Sequence, residues 1–237
     1  MHSRTIPDED ILSEYEAVAQ EAQTMAFLPR ASELQEAAVK EIEGFMQKLA
    51  ERKLEYVRNS DEKAANCVLA MEFALGAVRS ELAMWIKLKG VSAEEAWSDL
   101  ITAQELLGAA LLVRRQLELD TTGIENLLRR LLFIEHWVFP PQMFNSIGGR
   151  AKCRECSICG AEYDDCDHVI GRAYMGKMCH TIIGEVSLAE VSVVTNPADK
   201  RCRITHFSDQ GKMRNKMTWR LEEPRDVPDS LPKYGGR

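Results

Sequence analysis

Hydrophobic positions in the first 140 residues recur with the spacing of helices, and almost no stretch there alternates as a strand would. Pro7-Asp8 opens a helical segment that reaches about Leu28 and stops at Pro29. Ser32-Glu33-Leu34-Gln35 has the form of a capping box. The helix it opens runs towards Arg58, with Leu34, Ala38, Ile42, Phe45, Leu49 and Tyr56 near one face. Asn59-Ser60-Asp61 restarts the chain. Val68, Met71, Leu75, Val78, Leu82 and Trp85 then follow one another at 3-4-3-4-3 spacing, an a/d seam. Gly90 closes this third helix as a left-handed cap would. Ser92-Ala93-Glu94-Glu95 and Thr122-Gly123-Ile124-Glu125 are two further capping boxes, predicting helices to about Leu119 and about Val138. Short links between long amphipathic helices predict antiparallel neighbours, hence a bundle of four or five helices.

The pattern changes after Pro140-Pro141. Residues 142–150 read as a link with Gly148-Gly149 as its hinge. Glu185-Val186-Ser187-Leu188, Val191-Ser192-Val193-Val194 and the alternating run 201–207 read as strands, with a turn at Asn196-Pro197. Residues 208–237 hold three prolines and little periodicity, so mostly irregular chain is expected. The architecture expected is mainly α: a helical bundle over 1–145, a small metal-binding module with short antiparallel strands over 150–207, and a flexible basic, Pro-containing tail over 208–237.

Composition sharpens that division. The chain has 237 residues and a net charge of −7, yet residues 1–150 carry −8 and residues 151–237 carry +1. This argues against a generally cationic nucleic-acid binder. No apolar run reaches the roughly 18 residues of a membrane span. The first ten residues hold no apolar core, so a reducing cytoplasm is the expected compartment, with no membrane partner. Six of the seven cysteines (153, 156, 159, 166, 179 and 202) lie beyond residue 150, and Cys67 alone sits in the helical part, where burial is expected.

Within the cluster, Cys156-Ser157-Ile158-Cys159-Gly160 has metal-knuckle spacing, with Gly160 letting the backbone fold back beneath an ion. Cys166 and His168 stand two apart, so extended chain would place both on one face. Cys156, Cys159, Cys166 and His168 are four N/S ligands suited to a closed, tetrahedral structural zinc site. Cys179 is the substitute, replacing Cys166; Cys153 and Cys202 are weaker candidates. In the tail, Lys212, Arg214, Lys216 and Arg220 with Trp219 form a basic strip able to hold phosphate and stack a base. The simpler reading docks this strip onto the acidic helices.

Three resemblances carry functional expectations. Arg129 or Arg130 with His136 resembles the Arg…His pair of HEPN ribonucleases, although the polar residue that usually follows the Arg is missing; the plainer reading is an exposed cation at a helix C-terminus. Cys156-x2-Cys159 with Asp167-His168-Val169-Ile170-Gly171 looks like the front half of an HNH-type nuclease finger, with His168 as base and His180 as a cation ligand. The central Asn and closing Cys-x2-Cys of that family are missing. Residues 153–203, with Cys166-Asp167-His168, Gly171, Tyr174, Gly176-Lys177, Cys179 and Glu190-Val191-Ser192-Val193-Val194-Thr195-Asn196-Pro197-Ala198, resemble a Cys/His segment and strand of tailed-phage prohead maturation proteases and related prophage proteins. That family is a β-rich serine protease whose catalytic body would precede this segment; here the preceding 150 residues are helical, and no nucleophile can be assigned. The resemblance implies a phage-related or anti-phage module without the protease. The expected function is a non-enzymatic, zinc-stabilised interaction or adaptor protein whose partner is another protein. The alternative is a nucleic-acid-acting protein, an HNH-like nuclease or a DNA/RNA binder. The Val68–Trp85 seam also allows a homo-oligomer.

Overall fold

The computed structural model describes residues 7–90 and 93–223. Five helices come first: α1 (Glu9–Met25), α2 (Ser32–Arg58), α3 (Glu62–Lys89), α4 (Ala93–Gln116) and α5 (Thr122–Val138). α3 is apolar nearly all round, which makes it the hub: α1, α2 and α4 all pack on it. The predicted seam is real, with Val68, Leu75 and Leu82 fully buried and Met71, Val78 and Trp85 nearly so. Cys67 is buried beside it. Within α4, Leu100 and Leu107 are fully enclosed. α4 is also the one described helix long and apolar enough to cross a membrane by length and composition, and half of that stretch is covered inside the bundle.

The helix ends depart from the expected chemistry. Asp61, where the chain restarts, caps α3, accepting from the Ala64 N–H at 3.0 Å. Ser32, however, is already helical, and Gln35 is buried, donating to the Met25 and Phe27 carbonyls instead of closing a capping box. Asp120, not Thr122, accepts the N–H at the start of α5. Ser92 lies outside the described residues. Gly90 ends α3, but its φ of −92° is extended, so no left-handed cap forms.

A buried ion pair crosses the bundle. Glu81 of α3, 1% exposed, accepts from Arg130 of α5 at 2.5 Å. Burial pushes the Glu81 carboxyl above its ordinary 4.5, and Arg130 only partly offsets this. At pH between the ordinary and the raised value the folded chain holds a proton here that the unfolded chain has released, so this site's contribution is full below pH 4.5 and is lost as pH rises through the raised folded value. In urea melts from about pH 4 to about pH 7, Glu81→Gln should gain stability relative to the wild-type chain as pH rises. A gap between the two that stays constant with pH counts against this.

Beyond α5 the chain builds small antiparallel sheets from β1 (Phe144–Ala151), β2 (Arg154–Cys156), β3 (Ala173–Tyr174), β4 (Lys177–Met178), β5 (Thr181–Ile183), β6 (Val186–Val194), β7 (His206–Asp209), β8 (Lys212–Asn215) and β9 (Leu221–Glu222). β1 pairs with β6, β2 with β5, β3 with β4, and β7-β8-β9 form a three-stranded meander. The glycine hinge is corrected: Gly148-Gly149 lies inside β1, at an irregularity where Gly148 faces Glu190 and Gly149 faces Leu188. The two strands expected at 185–188 and 191–194 are one strand, β6, carried through by that bulge. Residues 201–205 are loop, with Arg203 bridged to Phe144, and the strand begins only at His206. The irregular tail is likewise corrected over 208–222, where a hairpin turns through Gln210 (φ 52°) and Gly211 (φ 83°). Two consecutive positive φ values make the two-residue turn that matches strand twist. Residues 224–237 lie outside the described part.

The sheets are anchored to the bundle. Trp97 of α4 donates its indole N–H to the Lys200 carbonyl at 2.9 Å and meets Phe139 edge-to-face at 5.4 Å. Arg201 grips both Glu105 oxygens (2.6 and 2.8 Å), Lys200 pairs with Glu135 (2.7 Å), and Asn215 donates to Glu94 (2.9 Å). The charge asymmetry of the sequence is thus partly consumed as contacts between its two parts.

Candidate metal centre

The knuckle forms as its spacing requires. β2 ends at Cys156, the chain turns through Ser157 and Ile158, and the Gly160 N–H returns to the Cys156 carbonyl at 2.8 Å with φ +73°. The Ile158 N–H points at the Cys156 sulfur, 3.4 Å away. A short 3-10 turn, Tyr163–Asp165, then delivers Cys166 in extended conformation (φ −123°, ψ 152°), and His168 follows two residues later. The ligand atoms of Cys156, Cys159, Cys166 and His168 lie within 4.8 Å of one another, so the four candidates converge as their spacing predicts.

Two details tell what such a cluster wants. His168 Nδ1 is buried without a hydrogen-bond partner among the described residues, while its ring sits edge-on against Tyr174 at 4.7 Å. A buried imidazole nitrogen is costly to leave unpaired, and a metal ion satisfies it. The sulfurs show the same need. Burial works to raise the Cys156 thiol, but the N–H groups of Cys159 and Ile158 and the neighbouring thiols outweigh it and lower it to about 6. Burial and the adjacent Cys156 sulfur push Cys166 up to about 11. By itself the Cys166 thiol resists deprotonation at neutral pH, and a bound dication reverses this. Three sulfurs and one imidazole within 4.8 Å of one another offer four donors, a set that fits zinc and would leave no protein-free coordination position.

Cys179 adjoins the four. It is buried, with its sulfur 3.9 Å from that of Cys156, and burial raises its thiol. Cys153 and Cys202 are exposed, and no described cysteine is disulfide-bonded. His180 is exposed, and its ring lies 3.4 Å from the Met178 carbonyl. Arg130 is committed to Glu81, Arg129 bonds Asn126, and His136 is an exposed residue in the last turn of α5.

What holds this centre to the bundle was not read from the sequence. Asn66 of α3, 1% exposed, donates to the Ala173 carbonyl (3.2 Å) and accepts from the Gly176 N–H (2.7 Å). Gln116 of α4 does the same to both polar groups of Ala173, at 2.8 and 2.7 Å. Two side-chain amides thereby act as a strand edge for the β3–β4 hairpin. Gly176, at φ +74°, lets the turn lie against Lys53 and Ala65. The available signal was a lone Asn inside the otherwise apolar stretch Ala64–Met71.

The basic strip is partly neutralised. Arg214 pairs with Asp209 (2.6 Å) and lies over the Trp219 ring (5.5 Å), and Lys212 pairs with Glu223 (3.0 Å). Lys216 is half-buried, and Arg220 is exposed. Trp219 is 63% exposed, with Phe207 5.7 Å from it. No protein-family model matches the chain, and no curated protein or solved structure matches it either.

Proposed function

We propose that the chain is a zinc-stabilised, non-enzymatic interaction or adaptor protein of a reducing compartment, in which the metal organises residues 153–183 against the helical bundle. The observation that carries this reading is the convergence of Cys156, Cys159, Cys166 and His168, with the His168 Nδ1 unpaired. Four protein ligands complete a tetrahedral zinc ion and leave no position for substrate or activated water, which favours a structural role. His168, engaged as a ligand, is lost as a general base for HNH-type chemistry. The phage-related or anti-phage setting is supported by the resemblance of residues 153–203 alone.

Metal analysis of the chain purified under reducing conditions tests the reading. One zinc per chain is expected, lost in His168→Ala and kept in Cys179→Ser. Cation-dependent cleavage of DNA or RNA that disappears in a folded His168→Ala chain would overturn it in favour of a nuclease.

A second reading rests on Trp219, whose exposed ring, flanked by Phe207 and Arg214, is a platform on which a base can stack. It requires salt-dependent binding of single-stranded nucleic acid that is lost on neutralising Lys212, Arg214 and Lys216 together.

A further inference from the structure

We infer that the β1–β6 ribbon is a self-association surface, packing face to face against the same ribbon of a second copy of this chain. β1 and β6, of eight and nine residues, form a two-stranded sheet, and beyond it β1 meets only the bridge from Phe144 to Arg203 at its start among the described residues. Such a ribbon is marginal in water on its own. Ile147, Val186, Leu188, Val191 and Val193 nonetheless stand 49–66% exposed on it.

The register shows that these five share one face. Ile147 faces Val191, Asn145 faces Val193, Gly149 faces Leu188 and Ala151 faces Val186. Leu188 and Val191 are three apart and would fall on opposite faces of a regular strand. The bulge absorbs Ala189 and returns them to the same side. Arg150, Glu190, Ser146, Ser187 and Ser192 take the other face, so the apolar one carries no charge.

Size and shape point to a second copy as the occupant. Five such side chains at these exposures present about 500 Å² of apolar surface, and two ribbons fully covering each other remove about 1,000 Å² from water, the lower end of the range for a specific interface. The face is a ridge beside a furrow: β6 contributes four large apolar side chains, whereas β1 contributes Gly149 and Ala151 next to Ile147, with the uncharged Asn145 at its end. A two-fold axis parallel to the strands lays the ridge of each copy over the furrow of the other, the reciprocal fit that an isologous dimer requires. The absence of charge on this face spares the contact the repulsion expected between two chains of net charge −7. The inference does not depend on the metal reading, because no ribbon residue belongs to the Cys/His cluster.

Sedimentation equilibrium of the full metal-loaded chain at micromolar concentration tests it. The expected mass is twice the 26.8 kDa of one chain. Leu188→Asp with Val191→Asp should weaken association at least ~30-fold. Leu188→Thr with Val191→Thr keeps strand propensity and should also dissociate the dimer, guarding against simple unfolding of the ribbon. Phe133→Asp, on the exposed side of α5, should leave the dimer intact. A wild-type chain at the mass of one copy, a dimer that survives both double variants while folded, or one that Phe133→Asp dissociates would overturn the inference, whatever the zinc content.

Discussion

Removing the metal, or replacing Cys156 by Ser, is expected to melt residues 153–183 while the five helices stay folded. The reason is the poverty of that segment. Its strands are two or three residues long, and among its described residues only Cys156, Ala173, Gly176 and Cys179 are buried. So little enclosed apolar surface cannot offset the cost of ordering some thirty residues. Zinc binding can: structural sites of this donor type supply about 10 kcal/mol or more of apparent free energy at pH 7. Cys156 is the most telling position because it ends β2, receives the Ile158 N–H and touches Cys179 as well as its three cluster partners. Hydrogen exchange should show the amides of Gly160, Cys179 and Gly184, which are hydrogen-bonded in the folded module, becoming unprotected. The helical circular dichroism should change little. Protection that persists in metal-free chain would show that these turns hold themselves together.

Asn66→Ala is expected to cost about 2 kcal/mol, because it leaves the Gly176 N–H without its partner at a buried contact and takes one of two donors from the Ala173 carbonyl. The loss should be cooperative with the rest of the hairpin, where Gln116 still holds Ala173 but nothing replaces Asn66 at Gly176. Urea melts of metal-loaded chain report the difference. Asn66→Asp serves as a companion variant: at neutral pH its ionised carboxylate can still accept from the Gly176 N–H but cannot donate to the Ala173 carbonyl, so it should also fall below wild type. A loss below about 1 kcal/mol for Asn66→Ala would mean the hairpin is held by the metal alone.

Periodicity exposed the bundle because a seam such as Val68–Trp85 is read by spacing alone, and all six of its residues are enclosed. The four metal-binding candidates were legible for a similar reason: a knuckle is local, so the distances between Cys156, Cys159, Cys166 and His168 follow from positions close in the chain. What escaped is non-local or too short for a pattern. Asn66 meets residues more than a hundred positions away. β9 has two residues and β8 four, fewer than alternation needs to declare itself. The Gly148-Gly149 pair misled because glycine marks a bulge as readily as a hinge, and only pairing with β6 separates the two. The capping boxes misled at Gln35, whose amide serves the loop before α2 instead of its own helix end.

The docking of the β3–β4 hairpin also sets an order of events during synthesis. The helices can assemble from neighbouring contacts as they emerge, but the cluster of Leu69, Ala70, Phe73, Val113 and Leu117 is completed by Ala173 and Met178. Until those residues are made, the nascent bundle carries an apolar flank with an unsatisfied Asn66 at its edge. A chain cut near residue 145, at the boundary that composition suggests, keeps that flank open permanently and would be prone to aggregate. The place where this sequence looks easiest to divide is therefore a poor place to divide it.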